Sequence, residues 1–403
     1  MVSNDALLLT ARIGSALRAQ SIGALQQNVA LGGHPALRDD DKERRNVTPH
    51  LTPRATASVA LMIVLGCASS LRAQEPPQGW AWQPVVPVLT PLRVLIIYDM
   101  EGLSGIDRHA MTTCKDLASY AAGQDRLAED VNAVVEGLVA AGVAKIEVVD
   151  RHGSGCDATP DLPVSRMHPR ATYVDETSSA LFTRVTQRQW DAVALVGAHA
   201  SPGHNGFLEH VGSFGIERIL NGVSVSESEQ QGLMGGNWGL PIIFSSGDDR
   251  LGAQLKERMP WVTFVETKRA TSRTSAALRP PAAVRADLIF FAKLAVASRN
   301  RTKTITLLPP FTGAYKPVYP LTLEPLGAIP GVDISAGLIR VTGSNPREVN
   351  EAINRISILI ASVHTADAHW EAVNGDEKLD RFRDSVFMAQ WRAGPPEKGS
   401  SRR

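Results

Sequence analysis

Short apolar runs alternate with stretches of helical period along most of the chain, the pattern of strands interleaved with helices. Val94-Leu95-Ile96-Ile97 reads as a buried strand. From Asp116 to Ala141 the residues Leu117, Tyr120, Leu127, Val131, Val134, Val135, Leu138 and Val139 recur near the helical period until Gly142 stops them. Lys145 to Asp150 follows as a strand, which makes a βαβ unit and implies parallel neighbours. Asp191 to Gly197, Gly222 to Glu227 and Leu240 to Ser245 read as further strands. Gly247-Asp248-Asp249-Arg250 turns into a helix over Leu251 to Met259, where either aspartate suits the cap. Downstream, Pro280 to Arg299 is helical in pattern, and Thr304 to Leu307 and Leu321 to Glu324 are short strands. Pro346 to Ile360 is an amphipathic helix with Val349, Ile353, Ile356 and Ile360 on one face. The fold class is therefore α/β, a mostly parallel central sheet flanked by helices over 93–270, with a smaller C-terminal α+β lobe over 271–365. Residues 366–403 read as a tail, largely mobile.

The first 73 residues follow another logic. Residues 1–50 lack sustained periodicity and carry the charged run Arg38 to Arg45. Arg54 then precedes the apolar stretch Ala55 to Ala68, and Ser69 to Gln74 supplies a small-residue exit, which is signal-peptide architecture with cleavage after Ala73. The apolar core is too short for a permanent span. The long leading segment implies a true start nearer that core. Val64-Leu65-Gly66-Cys67 faintly resembles a lipoprotein box, so a lipid anchor at Cys67 is the alternative to clean release. Residues 74–92 read as a linker. An exported protein, periplasmic or secreted, is expected.

Composition narrows the partners. The chain has 403 residues, 43% of them hydrophobic, enough for a substantial core. Lys+Arg 42 against Asp+Glu 41 leaves +1, with no basic cluster to track a phosphate backbone, so nucleic acid is not an expected partner. Of the 3 cysteines, Cys67 leaves with the signal or carries lipid; Cys114 and Cys156 are free to pair in an oxidising compartment, although the spacing does not demand it. No Cys-x-x-Cys occurs, so any metal chemistry rests on histidine and carboxylate.

Such chemistry is concentrated at strand exits. In Tyr98-Asp99-Met100-Glu101-Gly102-Leu103-Ser104-Gly105, the carboxylates of Asp99 and Glu101 share one face of an extended backbone and repel unless a cation or shared proton lies between them. A lone pair of this kind is more often solvated at a strand end, and a lone histidine more often caps or lies on the surface. Here, however, His152, His199 and Glu227 fall at three further strand exits, the edge where ligands collect in open α/β sheets. Mixed imidazole and carboxylate donors suit zinc, and also manganese or cobalt. The five donors Asp99, Glu101, His152, His199 and Glu227 exceed one tetrahedral ion, so a carboxylate bridging two metals is the simpler arrangement. The Gly- and Pro-containing loop Ser201 to Glu209 leads to His210, and His204 and His210 are both candidates to move protons. His168 reads as structural.

Asp99-Met100-Glu101-Gly102-Leu103-Ser104-Gly105, then Asp150-Arg151-His152, Gly197-Ala198-His199-Ala200, His210, Glu227 and Gly247-Asp248-Asp249-Arg250, resembles the DppA-type D-aminopeptidases in order from about Arg93 to about Ala361. The resemblance implies a dinuclear zinc metallopeptidase whose two divalent metal ions activate water to hydrolyse short peptides with an N-terminal D-residue. It implies metal ligands at Asp99, Glu101, His152, His199 and Glu227 and a catalytic residue at His210. Lys268 and Arg273 match basic positions of the family that would hold a substrate carboxylate or carbonyl, with plain surface charges as the equal alternative. Homo-oligomerisation is likewise implied by resemblance. Arg151 and Glu209 depart from the family's pattern and bear on specificity. The alternatives are a dinuclear hydrolase of a phosphoester or an L-peptide, and a non-catalytic metal-binding homologue.

Overall fold

The structure is a computed structural model that describes residues 74–154, 160–175, 178–212, 216–317, 332–353 and 355–356. The chain divides after Arg72, and everything described lies in the second unit, Ala73–Arg403. The signal-peptide segment, Cys67, Cys156, the strand expected at Leu321 to Glu324, Ile360 and the tail lie outside the described residues.

The central sheet is built from β2 (Arg93–Tyr98), β3 (Lys145–Asp150), β4 (Ala171–Tyr173), β5 (Ala192–Ala198), β8 (Ile242–Asp248), β9 (Thr263–Ser272) and β10 (Ser275–Leu278). Its order is β10-β9-β8-β5-β2-β3-β4, parallel throughout except for the β9–β10 hairpin at one edge. Strand β2 lies in the middle, and its alternate residues explain the layers. Val94, Ile96 and Tyr98 pack into a core with Leu127, Val131, Val134 and Leu138 of α1 (Leu117–Ala140) and with Val284, Leu288 and Ala292 of α5 (Pro281–Ser298). Leu95 and Ile97 face the opposite core, which holds Leu181 and Val185 of α2 (Ser178–Thr186), Leu233 of α3 (Glu227–Gly236), and Leu251 and Leu255 of α4 (Asp249–Arg258). A strand covered on both faces carries a continuous apolar run, which is why this part of the chain was so legible.

Two smaller sheets complete the second layer. β1 (Trp80–Pro84) pairs antiparallel with β11 (Lys303–Leu307). An antiparallel sheet runs β13-β14-β12-β6-β7, from β6 (Ile216–Leu220), β7 (Val223–Ser224), β12 (Phe311–Pro317), β13 (Val332–Ser335) and β14 (Leu338–Gly343). It draws strands from both sides of residue 270, where the sequence suggested a boundary, while β10 and α5 belong with the main sheet. The segments beyond 270 thus supply strands to both the central and the antiparallel sheet.

The capping chemistry matches the sequence. Asp116 accepts from the Ser119 amide at the start of α1, and Asp248 accepts from the amides of Arg250 at 3.1 Å and Leu251 at 2.8 Å at the start of α4. His168 is structural, its amide donating to Asn132 Oδ1 and its Nδ1 accepting from the Arg170 amide.

Candidate metal centre

Strand β2 hands its chain over at Tyr98, and the next residue begins the site. The Asp99 amide donates to Val196 O of β5 at 2.8 Å, and the Gly102 amide donates to Gly197 O at 2.7 Å, so the exits of β2 and β5 stay stitched together. A Cβ on Gly102 would lie 2.0 Å from Ala198 O. Only glycine permits that approach, which fixes how far Asp99 and Glu101 stand from His199.

Each histidine is oriented by a backbone carbonyl. His152, at the exit of β3, donates from Nε2 to Thr112 O at 2.6 Å, and its Nδ1 lies 2.8 Å from Asp99 Oδ1 and 3.2 Å from Glu101 Oε2. His199, at the exit of β5, donates from Nδ1 to Ala200 O at 3.1 Å, and its Nε2 lies 3.2 Å from Asp99 Oδ2 and 4.0 Å from Glu227 Oε1. Because a carbonyl can only accept, each ring is held as one tautomer with its other nitrogen facing carboxylates. Asp99 offers one oxygen to each histidine, the posture of a bridging carboxylate.

Glu227 is the first residue of α3, whose start is a capping box: the Glu229 amide donates to Ser226 Oγ at 3.2 Å and the Ser226 amide to Glu229 Oε2 at 2.7 Å. Glu227 Oε1 accepts from the Gly212 amide at 2.6 Å. The His210 ring stacks on His199 with centroids 4.0 Å apart and planes 12° from parallel, and its Nδ1–H donates to Leu208 O at 2.8 Å. His204 instead faces Ser201, with Nδ1 3.0 Å from its Oγ. Two donor triads result, Asp99/Glu101/His152 and His199/His210/Glu227, each with its ligand atoms within 4.8 Å of one another.

The donor set fits divalent cations. Among the described residues, Glu101 Oε2 and His199 Nε2 are buried polar atoms with no hydrogen-bond partner, and both point into the cluster. Burial works against charge on His199, yet Asp99, Glu227 and Glu101 lift its pKa to about 10. Burial likewise opposes charge on His152, and Glu101 and Asp99 still hold it well above the usual imidazole range. For Asp99 burial acts upward, but His199 and hydrogen bonds within the cluster hold the carboxyl well below the usual range. The common cause is a demand for positive charge where these groups converge, which protons or divalent cations can meet.

The two basic candidates differ in their surroundings. Lys268 is wholly buried and its Nζ donates to Glu101 O at 2.5 Å and Ile106 O at 2.7 Å, so contact with a substrate is not what the structure gives it. Burial depresses its pKa to about 7 despite Asp248, Asp130 and Glu101 nearby. Arg273 is exposed and pairs with Glu209 Oε1 at 2.9 Å. Glu209 is in turn a loop fastener, accepting from the amides of Gly203 at 3.1 Å and Gly206 at 2.9 Å. Arg151 donates from Nη1 to Asp150 O at 3.0 Å and lines a cavity of about 20 Å³ with Asp99, Glu227, Ser228 and Gln231, room for about one water. A larger cavity of about 350 Å³ lies between α4 and β9, away from the triads.

The sequence reading missed the groups that fasten the ligand loops. Asp130 of α1 is buried and accepts from the Ser104 hydroxyl at 2.6 Å and amide at 2.7 Å. Asp248, besides capping α4, accepts from the Phe207 amide at 2.7 Å. An aspartate in the middle of a helical pattern was the one visible signal.

Comparison with known proteins gives the family. Residues 92–374 match the M55 peptidase family, described as D-aminopeptidase. The chain belongs to that family. It is 24% identical over 258 residues to the D-aminopeptidase of Bacillus subtilis strain 168, spanning 62% of this chain and 90% of that protein. Among solved structures it resembles the "Zn-dependent D-aminopeptidase DppA from Bacillus subtilis, a self-compartmentalizing protease", with a TM-score of 0.60, 22% identity, and coverage of 66% of this chain and 98% of the other. At that identity the likeness speaks for the fold, a mixed α/β architecture with a mostly parallel central sheet. As a D-aminopeptidase family member, the chain is a metallo-aminopeptidase by class.

Proposed function

We propose that this chain is an exported aminopeptidase that hydrolyses short peptides with an N-terminal D-residue, using two divalent ions, zinc first, held by Asp99, Glu101, His152, His199 and Glu227. The observation that carries the reading is the pair of carbonyl-fixed imidazoles whose remaining nitrogens converge on the two oxygens of Asp99. The name of the Bacillus relative supports zinc and supports assembly into a homo-oligomer.

When bound, such ions supply Lewis acidity to the scissile carbonyl and acidify water. The protein's own groups do the rest. Asp99 and Glu101 balance the ionic charge, and Thr112 O and Ala200 O keep both imidazoles in the ligating tautomer. His210 donates its Nδ1–H to Leu208 O and stacks on His199 beside the cluster, where its imidazole would move a proton for the departing amine. The apolar strands beneath the cluster exclude water from below.

Export rests on the apolar segment with its small-residue exit and on Cys114, which is disulfide-bonded, as suits an oxidising compartment. A panel of paired D- and L-aminoacyl amides tests the substrate. Hydrolysis of the D members alone, abolished by chelation and restored by zinc, is expected; equal rates on both hands remove the D-specific reading, and activity on phosphate esters alone moves the chain to another hydrolase class.

A further inference from the structure

The pairing of β8 with β9 slips by one residue beside the metal centre: Gly247 pairs with Glu266, but Asp248 pairs with Lys268, leaving Thr267 as an extra residue in β9. In a regular strand, neighbouring side chains point to opposite faces, so Thr267 and Lys268 could not serve one target. A bulge re-aims them. Both are wholly buried, and both reach the loop that carries Asp99 and Glu101. Thr267 Oγ1 donates to Gly102 O at 2.6 Å, with Gly247 O at 3.1 Å as a second acceptor. Lys268 Nζ donates to Glu101 O at 2.5 Å and Ile106 O at 2.7 Å, and stands 4.8 Å from the centroid of the Phe207 ring in the loop leading to His210.

We propose that the β9 bulge is a clamp for the metal centre, in which Lys268 and Thr267 are positioning residues that hold the Glu101, Gly102 and Ile106 carbonyls so that the Asp99 and Glu101 carboxylates stay preset for cation binding. The proposal rests on the metal-centre reading given above. Its physical content is the direction in which the loop carbonyls point. Three consecutive peptide units, from Asp99 to Gly102, carry two ligands, and with the Glu101 and Gly102 carbonyls anchored to β9 the peptide planes on either side of Gly102 cannot rotate. On the opposite flank Asp130 fixes Ser104, so the loop is held from both sides by buried groups remote in sequence. A lysine in this position holds the loop from behind and has no exposed surface from which to meet a peptide.

The test is metal titration of the full chain as wild type, Lys268→Met and Thr267→Val, after chelation and with the fold checked by far-UV circular dichroism. Lys268→Met keeps the bulk and removes the donors; Thr267→Val keeps the shape and removes one hydroxyl. Wild type that binds no divalent ion would sink the metal-centre reading itself. If wild type binds, the clamp predicts a loss of zinc affinity of about tenfold to a hundredfold in Lys268→Met and a smaller loss in Thr267→Val. Once re-saturated with zinc, both variants should show a lowered kcat with KM for the peptide unchanged. Wild-type zinc affinity in folded Lys268→Met, or in Thr267→Val should Lys268→Met not fold, overturns the clamp, and so does a rise in KM alone, which would return Lys268 to substrate contact.

Discussion

At the scale of single residues, two side chains at the same cluster are expected to behave differently. In the proposed mechanism the His210 imidazole moves a proton while its neighbours hold the metal, so His210→Ala should retain both ions and lose most turnover, about a hundredfold or more. Glu101→Ala should lose metal as well, since it removes a buried carboxylate that faces His152 at 3.2 Å. Metal content by elemental analysis, taken with kcat, separates the two; equal metal loss would make His210 a ligand. The adjacent Asp130 allows a prediction about pH. Burial raises its pKa to about 6, against the hydrogen bonds from Ser104, so the folded chain holds a proton there more readily than the unfolded chain, whose carboxyl titrates near 3.8. Its contribution is therefore fully present below that unfolded value and drains away as pH rises through about 6. Urea unfolding of wild type and Asp130→Asn from pH 4 to 7 should show wild type losing on the order of 3 kcal/mol relative to the variant. A difference independent of pH would mean that Asp130 does not carry that proton.

At the scale of elements, the site depends on the exits of β2 and β5 lying against each other. Gly102→Ala sets a Cβ 2.0 Å from Ala198 O, a backbone atom that cannot step aside, so this one methyl group should lower stability by about 3 kcal/mol or more and reduce metal affinity with it. Thermal unfolding with and without zinc measures both; an unchanged melting temperature would show that the exits are free to part. The sequence made the central elements readable for a definite reason. β2 and β5 are buried on both faces and their apolar runs are unbroken, β3 and β8 keep shorter apolar runs beside Glu147 and before Ser245, and α1 carries its cap and its stop at Asp116 and Gly142. The antiparallel layer was harder to read. β6 is Ile-Glu-Arg-Ile-Leu, in which Arg218 is buried and bonded to Tyr315 Oη at 2.9 Å, so polarity does not follow burial. β4 has 3 residues, too few for any period to show. The candidate ligands were legible because each lies at the end of a strand that could itself be read. The fastening roles were not, because Thr267, Lys268 and Thr112 act on, or through, backbone carbonyls that leave no trace in side-chain identity.

At the scale of the whole molecule, the central sheet gathers at one edge residues scattered over more than a hundred positions, while the antiparallel sheet delivers Glu227 through β7 from the other layer. Both layers contribute donors, all of them from before residue 270, while the strands of the antiparallel sheet come from both sides of it. The proposed export makes its own prediction: amino-terminal sequencing of the exported protein should begin at Gln74, and a mature chain starting before Leu61 would contradict signal cleavage. The central claim concerns the number of ions that the Asp99 oxygens bring together. Elemental analysis of the purified full chain, run beside Asp99→Ala, addresses it directly. Two divalent ions per wild-type chain and fewer than one in the variant are predicted; a wild-type chain that cleaves D-aminoacyl amides with one ion or none would contradict the account.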